Sequence, residues 1–261
     1  MNTSEKRLGL MDRLAAGPVI CAEGYLFELE RRGYLQAGAF VPEAVLDHPD
    51  EVRQLHREFA HAGSDVVEAF TYYGHREKLR IIGKEHLLEH LNREALKIAG
   101  EVAAESGGLL AGNICNTNLF EPGSNESLGQ VRAMFEEQVA WAVEEGADFI
   151  IGETFSYTAE ALVALDVIKQ TKLPAVITMA FHRADTTRDG HTAGESCKLI
   201  ADGGAEVVGL NCCRGPGTML PLLEDVCASV DTHVAALPVP YRTHADEPPF
   251  QSLRDPGCSC L

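Results

Sequence analysis

Short runs rich in β-branched and apolar residues recur along the chain. They are PVICA at 18–22, DVVEAFTYY at 65–73, LLAGNICN at 109–116, DFIIGETF at 148–155, PAVITMAF at 174–181, EVVGLNCC at 206–213 and HVAALPVP at 233–240. Each is too short for a helix. Most are nearly continuous in apolar residues rather than alternating, which is the pattern of strands covered on both faces of a parallel sheet. Between them, apolar residues fall at helical spacing over 49–63, 87–108, 127–147, 158–171 and 193–205. A weaker helical pattern over 217–230 carries Pro221 near its start. Gly63, the Gly107-Gly108 pair and Gly146 supply stop signals, and Ser127 reads as an N-cap. Leu87, Leu91 and Leu96 are expected to face the core.

The repeated order of strand, loop and helix predicts an α/β protein with a parallel sheet and helices outside it. This many strands in one domain favours a closed barrel over an open Rossmann sheet, and no G-x-G-x-x-G follows the first run. A TIM barrel has about eight strands, and an eighth βα unit would need roughly thirty more residues. After the last run the chain passes through HADEPPFQSLRDPGCSCL, an irregular stretch with Pro248, Pro249 and Pro256. The expectation is therefore a TIM (β/α)8-type barrel lacking its eighth βα unit. It would be a single domain over 1–261, with 244–261 an irregular tail.

Charge narrows the partners. The formal net charge is −17, and an acidic surface repels phosphate backbones and anionic lipid, so neither nucleic acid nor a membrane is expected as a partner. The first twenty residues lack a signal peptide's apolar core, and no run approaches a membrane span. A cytoplasmic protein acting on small molecules is the expectation. The eight cysteines are scattered through a chain with ample apolar content, which suits thiols, metal ligands or catalytic groups better than disulfides.

In barrels of this type the active site lies at the C-terminal ends of the strands. Those ends carry Glu23 and Gly24, Tyr72 and Tyr73, Asn116 and Asn118, Glu153 and Thr154, Phe181 and His182, the group Asn211, Cys212 and Cys213, and Tyr241. Glu153 is the least easily dismissed, because an acid closing a buried apolar strand is costly unless paired or functional. Plainer readings stand beside the others. A strand-end cysteine is commonly a small buried residue. Adjacent cysteines form a disulfide only through a strained peptide. Tyr72 and Tyr73 alternate faces, so that one packs outside. His182 and His191 lie in a solvated loop. The Cys-Ser-Cys at 258–260 has weak zinc-ligand character.

ELERRGYLQAG, HPDEVRQLHREFAHAGSDVVEAFTYY, GADFIIGETF and GAEVVGLNCC together resemble the homocysteine S-methyltransferases, above all their betaine-dependent members, over residues of about 8 to 250. The resemblance implies a barrel that binds homocysteine and a methyl donor, betaine or a related onium compound, and holds one zinc ion with three cysteines. One cysteine follows a Gly-x-Asn, and Cys212 fits it, with Cys213 a neighbour rather than a ligand. The other two are adjacent in a Gly-Gly-Cys-Cys that this chain does not contain. Glu153 matches the acid that receives the homocysteine amino group, Gly24 a backbone position near the amino acid, and Tyr73 an aromatic beside the donor. Phe40 stands where betaine enzymes have tryptophan. Asn211, in the Gly-x-Asn-Cys, is assigned to substrate binding, as is Glu23. The family's Asp-Gly-Gly is here Ala22, Glu23 and Gly24, so the acid is moved by one residue, which turns a strand side chain to the other face. Three outcomes stay open. The chain uses betaine; it uses S-methylmethionine or a sulfonium betaine; or it is a truncated homologue lacking two zinc ligands, inactive or dependent on a partner. A homo-oligomer is a separate candidate assembly. Cys258 and Cys260 are candidates to complete the zinc site.

Overall fold

The computed structural model describes residues 7–21, 24–36, 42–182 and 184–239. These fall into two compact units: those within Met1–Ile151 and Val167–Pro174, and those within Gly152–Asp166 and Ala175–Leu261. The first contains α1 (Leu10–Ala16), α2 (Tyr25–Arg31), α3 (Ala44–Asp47), α4 (Pro49–His61), β1 (Val66–Glu68), α5 (Arg76–Ile81), α6 (Leu88–Ser106), β2 (Leu109–Cys115) and α7 (Asn125–Glu144). Strand β3 (Phe149–Phe155) and α8 (Thr158–Lys169) run from one set of residues to the other. The second contains β4 (Ala175–Met179), α9 (Ala193–Asp202), β5 (Val207–Asn211), α10 (Pro216–Ser229) and β6 (His233–Leu237). The strands neighbour one another in the sequential order β1-β2-β3-β4-β5-β6. Pairs β1–β2, β4–β5 and β5–β6 are parallel. Strands β2 to β5 are buried at every position, as the continuous apolar runs predict. Strand β6 closes the order and is only half-buried.

The first run is a strand only in outline. Among the described residues it contributes one parallel bridge, Cys21 to Val66, with Ile20 O accepting the N–H groups of Asp65 and Val66 at 2.8 and 3.2 Å. The second run stops early. Thr71 N donates to Ala69 O and Gly74 N to Thr71 O, so the chain turns directly after β1. Ser127 is not the cap of α7. Ser124 Oγ accepts the Ser127 N–H at 3.2 Å, and Ser127 Oγ instead donates to Leu119 O. Leu91 and Leu96 are core, while Leu87 is half-buried in a short 3-10 turn (Glu85–Leu87) before α6.

One device sets the strands in register three times. Helices α4, α7 and α9 each run into a glycine with positive φ, Gly63, Gly146 and Gly204. The next residue donates back five positions, Ser64 to Phe59, Ala147 to Ala142 and Ala205 to Ile200, which closes the last turn as a Schellman motif. An acid follows immediately. Asp65, Asp148 and Glu206 accept the N–H groups of Ile20, Leu110 and Ala175 at 2.9, 2.8 and 2.7 Å. Each Gly-x-acid therefore ends a helix and fixes the start of the preceding strand run against the new one. Glycine serves a different purpose at Gly209. A Cβ there would lie 2.0 Å from Ala235 O, so β5 and β6 pair closely only because it is absent.

In the first unit His56 is fully buried, packs edge-on against Tyr25 at 4.6 Å, and has no hydrogen-bond partner for either ring nitrogen. Burial pushes its pKa down to about 3. The unfolded chain takes up this proton near the ordinary value of about 6.5 and the folded chain does not, so stability is lost as pH falls from there toward 3. His56→Leu should flatten the acid side of the stability profile by up to about 1.4 kcal/mol per pH unit between pH 6 and 4. Urea denaturation at several pH values measures this, and an unchanged slope would refute it.

Candidate functional site

In the second unit, the ends of β3 and β5 are joined through one carboxamide. Asn211 is 1% exposed. Its Oδ1 accepts the Thr154 N–H at 3.0 Å. Its Nδ2 lies 3.0 Å from Glu153 Oε2, 2.8 Å from Thr154 Oγ1 and 3.5 Å from Cys212 Sγ. Thr154 Oγ1 donates in turn to Glu153 Oε2 at 3.3 Å. Glu153 is thus a buried carboxylate with hydrogen-bond donors directed at it, the condition under which an acid can close an apolar strand.

The backbone around this carboxamide is strained. Thr154, Cys212 and Cys213 have φ of 61°, 57° and 56°, the left-handed region that costs a non-glycine residue about 1–3 kcal/mol. Thr154 is β-branched, which makes it the sharpest outlier. Its N–H and hydroxyl are both engaged by Asn211, and that engagement holds the conformation. On the β5 side, Cys212 N donates to Leu237 O at 3.0 Å. Arg214 then ties this turn to the loop after β4, donating to Phe181 O, Ala184 O and Asp185 Oδ1 at 3.0, 3.1 and 2.9 Å. The two thiols face different surroundings. Cys212 receives the Asn211 contact. Burial pushes the Cys213 thiol up, against the opposing influence of Arg214, and keeps it protonated. Both are free thiols.

In the first unit, Tyr73 lies in the turn after β1 with φ of 58°. Its N–H lies 3.2 Å from Cys115 Sγ at the end of β2. Tyr72 and Tyr73 do not take opposite faces. Their rings lie 4.3 Å apart, because the strand has already ended and alternation no longer applies. The Tyr73 ring also meets His75 edge-on at 5.9 Å and carries the Lys78 ammonium 4.1 Å from its centroid. His75 is held neutral, its pKa lowered to about 4 by burial and, secondarily, by Lys78. Gly24 is the left-handed N-cap of α2, φ 90°.

The structure brings Glu153, Asn211 and Cys212 together in one unit and sets Tyr73 in an aromatic group in the other. Glu23, Phe40, Tyr241, Cys258 and Cys260 lie outside the described residues. His182 is exposed and lies 3.2 Å from Ser156 Oγ through Nε2, in keeping with a solvated loop. Among the described residues no group of three or more His, Cys, Asp or Glu side chains is disposed to hold a metal ion. Sequence reasoning missed Arg214 and Lys78. Arg214 was legible as the only cation in the Asn-Cys-Cys-Arg-Gly-Pro-Gly turn. Lys78 carried no sequence signal, since its role depends on a ring five residues back.

Asn211→Asp tests the network. The new side chain keeps its shape and the acceptor for Thr154 N–H, but sets a carboxylate oxygen against Glu153. Two facing carboxylates hold a proton above the ordinary acid pKa. The folded state then binds more protons than the unfolded one, so stability is present near pH 4 and lost as pH rises. Thermal melts should show a loss of roughly 2 kcal/mol or more at pH 7 that shrinks toward pH 4. A pH-independent loss would contradict the assignment.

The family profile described as Homocysteine S-methyltransferase matches residues 20–249. The S-methylmethionine–homocysteine S-methyltransferase of Pongo abelii is 34% identical over 241 residues, covering 90% of this chain and 64% of its own length. Betaine–homocysteine S-methyltransferase 1 of Xenopus tropicalis is 36% identical over 245 residues, covering 90% and 60%. The chain therefore spans less than two thirds of the length of these relatives. Among solved structures, the metallated form of the homocysteine methyltransferase MmuM from Escherichia coli aligns with a TM-score of 0.73 at 17% identity, over 86% of this chain and 85% of that one. That likeness, with parallel strands in sequential order, shows a fold of the (β/α)-barrel type. On the match over residues 20–249, the chain belongs to the homocysteine S-methyltransferase family.

Proposed function

We propose that this chain transfers a methyl group from an onium donor, betaine or a related compound, to the sulfur of homocysteine, giving methionine. The observation that carries the reading is the Asn211 carboxamide, which holds Glu153 and Cys212 at the ends of two strands in a member of this family. Glu153 is suited to receive the homocysteine amino group, because its carboxylate is fixed in place and buried. An ammonium placed there gains a charge-assisted hydrogen bond to a carboxylate already fixed in position. The Tyr73 ring is suited to the donor's onium group, which has no proton to donate and is attracted to an aromatic face. In the reaction the thiol loses its proton to solvent, and a sulfur lone pair of the thiolate attacks the methyl carbon in line. The bond from carbon to the onium atom breaks, and its electron pair stays with the departing amine or sulfide. Relatives named for betaine and for S-methylmethionine support both donor classes.

Zinc belongs to the same proposal as its incomplete part. A three-thiolate site needs three donors, and the described residues bring one candidate, Cys212. They do not fit a complete zinc site, so no step above runs through the metal. Cys258 and Cys260 lie outside the described residues and are candidates for the rest. That donor set also favours a second reading, a chain that is silent alone and active only with a partner.

The test is methionine formation from homocysteine with betaine, S-methylmethionine and a sulfonium betaine in parallel, with zinc content measured on the same preparation. Turnover with one donor is expected, and Cys212→Ala should lower it by about ten-fold, the loss of the contact from Asn211, while Cys213→Ala leaves it near normal. No methionine from any donor would defeat the first reading and favour the second.

A further inference from the structure

Lys78 carries its charge over an aromatic ring and not beside a carboxylate. Its ammonium lies 4.1 Å from the centroid of the Tyr73 ring. Among the described residues it makes no ion pair, although the chain carries 39 acidic side chains against 22 lysines and arginines. The adjacent acid is not available to it. Glu77 is taken by Arg80 in a two-bond pair at 2.7 and 2.8 Å. Lys78 is half-buried, and its position is fixed from below, since its N–H caps α5 on His75 Nδ1. The ring it covers is itself built into place. Tyr72 lies against it as a tilted pair at 4.3 Å, His75 meets it at right angles at 5.9 Å, and Cys115 Sγ receives the backbone N–H.

A cation on this ring is a stand-in for an onium ligand, and it leaves three ammonium N–H donors without a carboxylate. Both donor classes considered above carry a carboxylate on the same small molecule as the onium centre. We propose that Lys78 recognises the donor's carboxylate. In the absence of the donor it occupies the Tyr73 face. When the donor arrives, the onium takes the ring, and the flexible four-carbon stem lets the ammonium swing to the carboxylate. The exchange keeps one cation on the ring throughout and gives Lys78 a charged partner only when the ligand is zwitterionic. An onium compound without a carboxylate must displace Lys78 and offers it nothing. Lys78 is therefore a specificity-determining residue for zwitterionic donors. This rests on the reading that the Tyr73 face takes the donor.

The experiment measures binding of betaine and of tetramethylammonium to the full chain by titration calorimetry. The unaltered chain is compared with Lys78→Met, Lys78→Arg and Tyr73→Leu. Lys78→Met should weaken betaine by about ten-fold, the loss of one charge-assisted hydrogen bond, and should leave tetramethylammonium equal or tighter, because the ring is vacated. Lys78→Arg should retain the preference for betaine. Unchanged betaine binding in Lys78→Met, or the two ligands weakening together, would overturn the role of Lys78. Tyr73→Leu should weaken both ligands. If it leaves tetramethylammonium binding unchanged, or if neither ligand binds the unaltered chain, the donor-face reading fails and this inference falls with it. Lys78→Gln replaces the methionine variant if that variant does not melt with the unaltered chain.

Discussion

The carboxamide of Asn211 is the interaction on which the second unit's strand ends depend. Three consequences flow from one buried side chain. It satisfies the N–H of a threonine in the left-handed region, it directs a donor at the carboxylate of Glu153, and it touches the sulfur of Cys212. Neither a strained β-branched residue nor a buried acid would persist at a strand end without such a partner. In the function proposed above, chemistry and stability are tied together, because the groups that hold the backbone are also those assigned to the ligand. Arg214 extends the constraint outward by fixing the turn after Cys213 to the loop after β4.

What makes this possible is the regular placement of the strands beneath. The Gly-x-acid device ends a helix with a left-handed glycine and uses the following carboxylate to pin an N–H near the start of a neighbouring strand run. It recurs before β1, β3 and β5. Register in a parallel sheet decides which side chains reach its C-terminal ends, so these acids at the opposite ends of the strands determine what Glu153 and Asn211 can meet. Their role is structural, and they account for three of the chain's many acidic residues.

Much of the architecture was legible in the sequence, because continuous apolar runs and stop signals report burial directly. All of β2 to β6 fall within the runs that predict them. The first two runs were overread for a common reason: composition shows where a chain is apolar but not where it turns. Among the described residues PVICA keeps one bridge, and the residues after Glu68 fold back on themselves, which places Tyr72 beside Tyr73 instead of opposite it. At the candidate site, Glu153 announced itself as an acid closing a buried strand, and Cys212 through its motif. The contact that joins them was not legible, since residues 153 and 211 come together only through the sheet. The division between Cys212 and Cys213 was legible from the family's pattern. Its physical side, a contact from Asn211 to one thiol and burial raising the other, emerges only from the fold.

The central claim is that Glu153, held by Asn211, receives the amino group of homocysteine beside Cys212. Equilibrium binding of homocysteine, measured by calorimetry without any methyl donor, tests it most directly. The account predicts that Glu153→Gln weakens binding by about ten-fold or more, the loss of one charge-assisted contact, while Cys213→Ser leaves it unchanged. Equal binding by the unaltered chain and Glu153→Gln would contradict it.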